Sequence, residues 1–331
     1  MTNVNELWQQ YQAGEREFAG IELQHADLSH LSLPGIDLWA ANLRNANLRG
    51  VNLREANLRE ANLENTNLQG ADLRGVDLRE AQLQQANLQA TRLQGALYDR
   101  TTQFPPNVDL ESNGAYYIGS GAQLRNADLS ELDLSGVDLS YADLRTADLA
   151  QINLLGANLS HADLSQVNFD HADLSECCFS KAILIGANFQ WATLNHADLR
   201  QANLFGADFR YANLQFANFQ GALCNHTTQF PAQFDPIAHG IVVIQPGVSL
   251  RQADLSEVSL AGADLSNADL TGANLVGADL WGVTLDRANL TGANLTAANL
   301  WGATLIDANL YDAILTDANL READLTGTIL A

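Results

Sequence analysis

Leucine stands at every fifth position over three stretches of the chain, 23–93, 124–219 and 250–330, and phenylalanine replaces it at Phe169, Phe179, Phe189, Phe209 and Phe219. Two residues before each of these centres lies a small or β-branched residue, mostly alanine, as in Ala41-Asn42-Leu43-Arg44-Asn45. A period of five fits neither the 3.6-residue helix nor the two-residue strand. It fits a coil in which the centre and the residue two before it point inward while the other three positions meet water. Such self-similarity at a fixed period outranks the length prior, so the 331 residues are expected as one elongated solenoid and not as two or three domains.

The quintets Ala46-Asn47-Leu48-Arg49-Gly50 and Ala263-Asp264-Leu265-Ser266-Asn267 resemble the A-(D/N)-L-x-x consensus of the pentapeptide-repeat family, abundant in cyanobacteria. The resemblance covers nearly the whole chain. It implies an all-β solenoid, a right-handed quadrilateral parallel β-helix with four quintets per coil. An independent hint of a twenty-residue coil is the recurrence of Phe169, Phe189 and Phe209, expected to stack as an internal ladder. Outward residues keep the same spacing, with His171, Trp191 and Tyr211 in one column, Trp281, Trp301 and Arg321 in another, and Trp39, Arg59 and Arg79 in a third. Stacked neighbours are expected about 4.8 Å apart, the usual strand separation.

Residues 1–17 read as a cap. Asn3 with Glu6 forms a capping box, Gly14 ends the helix, and Leu7, Trp8 and Tyr11 face inward, covering a terminal coil whose core and strand edges would otherwise be open. Blocks of repeats follow over 18–93, 124–219 and 250–331. Two interruptions, 94–123 and 220–249, are copies of each other: Thr101-Thr102-Gln103-Phe104-Pro105 matches Thr227-Thr228-Gln229-Phe230-Pro231. Asp235-Pro236 with Gly240, and Asp109 with Gly114, read as one-turn helices. Each interruption has room for one coil plus a flap, so a continuous solenoid is expected; the rival is three stacked blocks with kinks. Nothing resembling the amino-terminal cap follows the last repeat, so that coil is expected to form a homodimer, dock a partner or fray.

The net charge of −22, from 39 acids against 17 bases, disfavours direct contact with nucleic acid or anionic lipid. Cys177, Cys178 and Cys224 form neither a disulfide framework nor a metal-ligand spacing, which suits a reducing, cytoplasmic compartment. The longest apolar run, Ile241 to Ile244, is far too short to span a bilayer. His25, His30, His161, His171 and His196 all fall two residues after a centre, none twenty from another, and the acids before the centres read as repeat chemistry. No phosphate loop, nucleophile elbow or zinc spacing appears. The chain is therefore expected to be a non-enzymatic protein with no catalytic residue, metal or cofactor. The arginines Arg44, Arg49, Arg54 and Arg59, interleaved with Glu55, Glu60 and Glu64, are expected to form a solvated ion-pair lattice.

The outward aromatics are the least ordinary surface feature. Trp281 and Trp301, with Arg321, mark one candidate docking face for a protein partner. Trp191, Tyr211, Phe205 and Phe216 mark another. Two functions are weighed on this basis. The first is an interaction scaffold. The second is an acidic DNA mimic that binds DNA gyrase or another DNA-binding protein, as the quinolone-resistance members of the resembled family do. B-DNA carries nearly three charges in the height of one coil, whereas the second and third runs hold 12 acids against 5 bases and 11 against 3, under two net charges per coil, spread over all faces.

Overall fold

In the computed structural model, residues 4–106 and 108–330 are described, and the chain divides into two compact units, 1–124 and 125–331. One quintet shows why the sequence coils. Ala41 N donates to Leu38 O at 3.0 Å, closing the turn. Asn42 N and Leu43 N donate to Ile21 O at 2.9 Å and Asn62 O at 2.8 Å, in the coils before and after. Arg44 N donates to the Asn42 side-chain oxygen at 3.3 Å, and Asn45 N to Glu64 O at 3.0 Å. All five amides are thereby satisfied. The Asn or Asp before each centre is thus a turn cap, because its Oδ1 takes the one amide that the ladder leaves over.

The fifth residue of the quintet adopts a left-handed backbone. His25, Asn45, Lys181, Trp191 and Tyr211 have φ between 58° and 65°, as the third residue of a type II turn requires. The glycines of the repeat share this position, for instance Gly282 at φ 62°. The two inward positions are closed off from water, with Ala61, Leu63, Ala298 and Leu300 all 0% exposed.

In the first unit, helix α1 (Val4–Gln12) buries Leu7 and Tyr11 and ends at Gly14, φ 101°. The Tyr11 hydroxyl donates to Pro34 O at 2.7 Å, which ties the cap to a later coil. The expected capping residue, Asn3, lies outside the described residues. Parallel bridges then run every twenty residues in four columns, such as Glu22↔Asn42, Asn42↔Asn62 and Asn62↔Gln82. β1 (Leu97–Tyr98) pairs in parallel with β2 (Tyr116–Tyr117). Thr102 Oγ1 donates to Leu78 O at 3.0 Å, and Phe104, Leu110 and Ala115 of the interruption pack on the core.

The second unit repeats this plan from Asp128↔Asp148 onward, with β3 (Leu223–Cys224) parallel to β4 (Val242–Val243). The phenylalanine ladder forms as expected: Phe169, Phe189 and Phe209 stack at 5.1 and 4.5 Å. The interruption completes it, since Phe230 stacks on Phe209 at 5.5 Å and Phe234 on Phe230 at 4.9 Å. Thr228 Oγ1 donates to Leu204 O at 2.8 Å, the counterpart of Thr102. Asp235 caps its turn as read, its Oδ1 accepting from Ile237 N at 3.0 Å. The flap is therefore an internal lid, which places apolar rings over the core where the regular repeat stops.

The ladder does not pass through this interruption as a continuous solenoid would require. Among the described residues of the second unit it halts at Gln229 and Val243 and resumes with Ser249↔Asp269. The first coil of the third run instead packs against the flank of the second. Phe205, an outward residue, is 8% exposed because it joins the core of Leu255, Val258 and Leu260, with Ile185 beside it. Gln201 Nε2 donates to Asp254 O at 3.2 Å and Asn203 Nδ2 to Ser259 O at 2.9 Å. Lys181, the single lysine, pairs with Glu257 at 3.1 Å. Side-chain amides of one run thus satisfy the edge carbonyls of the next.

Candidate functional site

The repeat decides how each candidate residue is presented. Trp281 and Trp301 are each the first residue after a centre. Trp281 N and Trp301 N are capped by Asp279 and Asn299 at 3.3 and 3.4 Å, so the indoles leave the backbone in the same direction one coil apart. Their rings stack at 5.8 Å and 18°, and Trp281 is 48% exposed. Arg321 continues the column through its backbone, Gly302 N donating to Arg321 O at 2.9 Å. Among the described residues its guanidinium makes no cation–π contact with Trp301.

Trp191 and Tyr211 occupy left-handed corners. Their rings stack at 4.6 Å, with His171 following at 6.0 Å from Trp191. One corner further round the coil, His196 stacks on Phe216 at 4.9 Å. Tyr211 and Phe216 are 61% and 70% exposed. Phe205, expected in this cluster, belongs instead to the buried seam described above. Its pairing with Ile185 twenty residues before does not separate it, because Trp281 and Trp301 form the same kind of outward pair and Trp281 is 48% exposed.

The charged positions are mostly self-contained. Where Asp precedes a centre and Arg follows it, Arg74, Arg200 and Arg210 fold back on Asp72, Asp198 and Asp208 at 2.6 Å, and Arg145 does the same on Asp143. The hydrogen bond from Arg145 holds the Asp143 carboxyl below the usual range. Of the expected arginine lattice, Arg44 pairs with Glu64 at 3.2 Å, Arg54 with Glu55 at 3.7 Å and Arg59 with Glu80 at 2.6 Å. Among the described residues, no group of three or more His, Cys, Asp or Glu is placed to hold a metal ion, and no helix is long and apolar enough to cross a membrane.

His161, His171 and His196 sit at corners as stacking partners, His161 lying on Tyr141 at 4.7 Å. Burial, with Lys181 nearby, lowers the His161 pKa. Cys177 takes an inward alanine position, and burial pushes its thiol up to about 12, which leaves it an inert filler. A cleft of about 420 Å³ at the seam is lined by Ser180, Arg200, Gln201 and Asp254; its guanidinium is held by Asp198.

A search of curated proteins found no match. Among solved structures, a pentapeptide repeat protein from Nostoc PCC 7120 is 46% identical over 35% of this chain and 95% of its own, with a TM-score of 0.35. HetL, a pentapeptide repeat protein involved in heterocyst differentiation regulation in the cyanobacterium Nostoc sp. strain PCC 7120, is 27% identical over 100% of this chain and 98% of its own, TM-score 0.29. QnrB1, a plasmid-mediated fluoroquinolone resistance protein, is 21% identical over 62% and 93%, TM-score 0.25. The family model for pentapeptide repeats matches residues 21–59, 56–95, 120–154, 152–190, 187–223, 253–292 and 293–330. With these matches spanning the same quintets whose amides the coil accounts for one by one, the chain belongs to the pentapeptide repeat family.

Proposed function

We propose that this chain is a non-enzymatic protein-interaction scaffold, a right-handed quadrilateral β-helix that docks partner proteins on its flank, with Trp281 and Trp301 as the main anchors. Arg321 extends that face, and Trp191 with Tyr211 offers a secondary one. The supporting observation is a contrast between two pairs at the same repeat position. Ile185 and Phe205 are first residues after a centre, twenty apart, and the third run covers them. Trp281 and Trp301 are also first residues after a centre, twenty apart, yet Trp281 stays 48% exposed. The chain thus uses this geometry for docking once internally and leaves a larger aromatic copy open. Tryptophan is the residue most suited to anchor such a contact.

The experiment is affinity capture from native lysate by the wild-type chain and by a Trp281→Glu, Trp301→Glu variant whose circular dichroism is unchanged. A defined partner held by the wild type and lost by the variant is the expected result. Equal capture of the same partner by both sinks the flank as docking face. Acidic mimicry of DNA draws support from the net charge of −22. Against it, Asp72, Asp143, Asp198 and Asp208 each carry their own guanidinium. Capture of DNA gyrase equally by both proteins would favour mimicry. On the scaffold reading the chain works in the cytoplasm, without inserting into a bilayer.

A further inference from the structure

The two interruptions are copies in sequence but differ in what fills them. Carried on in register, the match between Thr101-Thr102-Gln103-Phe104-Pro105 and Thr227-Thr228-Gln229-Phe230-Pro231 also pairs Leu93, Val108 and Asn113 with Phe219, Phe234 and His239. In the second copy these three rings lie together: Phe234 meets Phe219 edge-on at 5.5 Å and stacks on His239 at 4.2 Å. In the first copy the same three places carry no ring.

The anchors of the flap are nonetheless the same in both. Thr102 and Thr228 hydroxyls donate to Leu78 O and Leu204 O at 3.0 and 2.8 Å. Gln103 O and Gln229 O accept from Leu83 N and Phe209 N, each at 2.7 Å. Asn113 Nδ2 donates to Asp109 O at 2.5 Å, where His239 Nδ1 lies 2.8 Å from Asp235 O. The first flap thus keeps the frame and lacks the filling. Its own ring, Phe104, turns to Tyr98 and meets it edge-on at 5.7 Å.

What remains between coil and flap is a cleft of about 510 Å³, with Leu88, Leu93, Pro105, Pro106, Val108 and Asn113 in its lining. Small-molecule sites fall in the range of roughly 300–1,000 Å³ and combine an apolar lining with a few placed polar groups. Two prolines stiffen one wall. The opposite wall offers a donor. Centre amides of this coil donate to the chain above, as Leu78 N does to Leu97 O at 2.8 Å, but among the described residues Leu88 N has no backbone acceptor. Asp109, also in the lining, has its carboxylate engaged by Ser112 N at 3.1 Å and by the Ser112 hydroxyl. Its charge opposes an anionic guest.

We infer that this cleft binds a small, neutral, planar aromatic molecule bearing a carbonyl oxygen. The ring takes the place that Phe234 and His239 fill in the second copy, and the oxygen accepts from Leu88 N. The site goes beyond the scaffold reading and is independent of the tryptophan flank.

The test titrates the full chain with benzamide, with benzoate, which adds a charge, and with cyclohexanecarboxamide, which removes the flat ring. Saturation-transfer NMR reads binding and amide shifts locate it. Benzamide is expected to bind and to shift Leu88, Leu93 and Val108, and the two analogues to bind about tenfold more weakly. A Val108→Phe, Asn113→His variant, which restores the rings of the second copy, should lose benzamide while melting no lower than the wild type. No binding of benzamide, equal binding of cyclohexanecarboxamide, or undiminished binding by the filled variant overturns the proposal. If that variant melts lower, the amide map of the wild type decides alone, and shifts away from the cleft overturn it. A peptide copying residues 230–239 that binds where benzamide does not would give the cleft to a protein segment, again against the proposal. A Trp281→Glu, Trp301→Glu chain should bind benzamide normally; loss of binding there would place the ligand on the flank and overturn the cleft while leaving the scaffold reading standing.

Discussion

Asn203 Nδ2 donates to the carbonyl of Ser259, 56 residues away, at 2.9 Å and out of reach of water. Its Oδ1 accepts from Phe205 N at 3.0 Å, also buried. One side chain thus serves both as the turn cap of its own quintet and as the tie between two runs. Asn203→Leu leaves a donor and an acceptor unsatisfied and should cost about 1–3 kcal/mol. Asn213→Leu, an exposed turn cap, should cost less. Urea unfolding of both variants decides it, and equal effects would remove the special role of Asn203.

Phe205 should matter more to this seam than Lys181. Phe205→Ala removes a buried ring and is expected to cost roughly 3 kcal/mol. Lys181→Met breaks a pair whose carboxylate partner is 63% exposed, and such pairs contribute about 0–1 kcal/mol. Thermal melts monitored by circular dichroism should rank the two accordingly.

Acid should loosen the third run. The hydroxyl of Thr271, with Arg251, holds Asp269 at about 2 instead of the ordinary 3.8, and Ser256 lowers Asp254. A carboxyl depressed in the folded state contributes stability above its unfolded pKa, and this is lost as pH falls through the folded value. Stability should therefore decline between about pH 4 and pH 2. Asp269→Asn should flatten that decline in melts taken across the window.

The corners give a prediction of opposite sign for two nearby positions. Ala297 is held at φ 57°, a conformation that costs a non-glycine residue roughly 1–2 kcal/mol. Glycine gives back part of that gain through its freer unfolded chain, so Ala297→Gly should stabilise by about 0.5 kcal/mol. At Gly282, φ 62° with open space around it, Gly282→Val should destabilise by about 1–2 kcal/mol. Matched denaturation curves would show whether backbone conformation, and not contact, sets the residue choice here.

The flap is expected to behave as core. Phe234 touches the rings of Phe219, Phe230 and His239 at 5.5, 4.9 and 4.2 Å. Phe234→Ala should cost about 2 kcal/mol, with faster amide exchange in the last coil of the second run. An unchanged exchange pattern would reduce the flap to a surface insertion.

The coil was readable because its forces are local and repeated. Leu43 and Ala41 face inward and Asn42 caps its turn in every quintet alike, so the period alone carries the information. The left-handed corner was less visible, since His25, Lys181 and Trp191 conceal a conformation that only the glycines advertise. What the pattern could not reveal is where the coil stops. Phe205 and Trp281 hold the same repeat position, and only the placement of the third run makes one buried and the other exposed. The second flap likewise read as a bulge because its stacking on Phe209 and Phe219 depends on a core end that no quintet encodes.

Within the second unit, neighbouring coils share hydrogen bonds on every face, whereas the second and third runs meet through a few side chains around Asn203. In a repeat array, cooperativity is carried by the coupling between neighbours. The seam is therefore a natural boundary between cooperative blocks: either run can unravel while the other stays folded, and a pull on the third run should peel it away from the second before any coil comes apart.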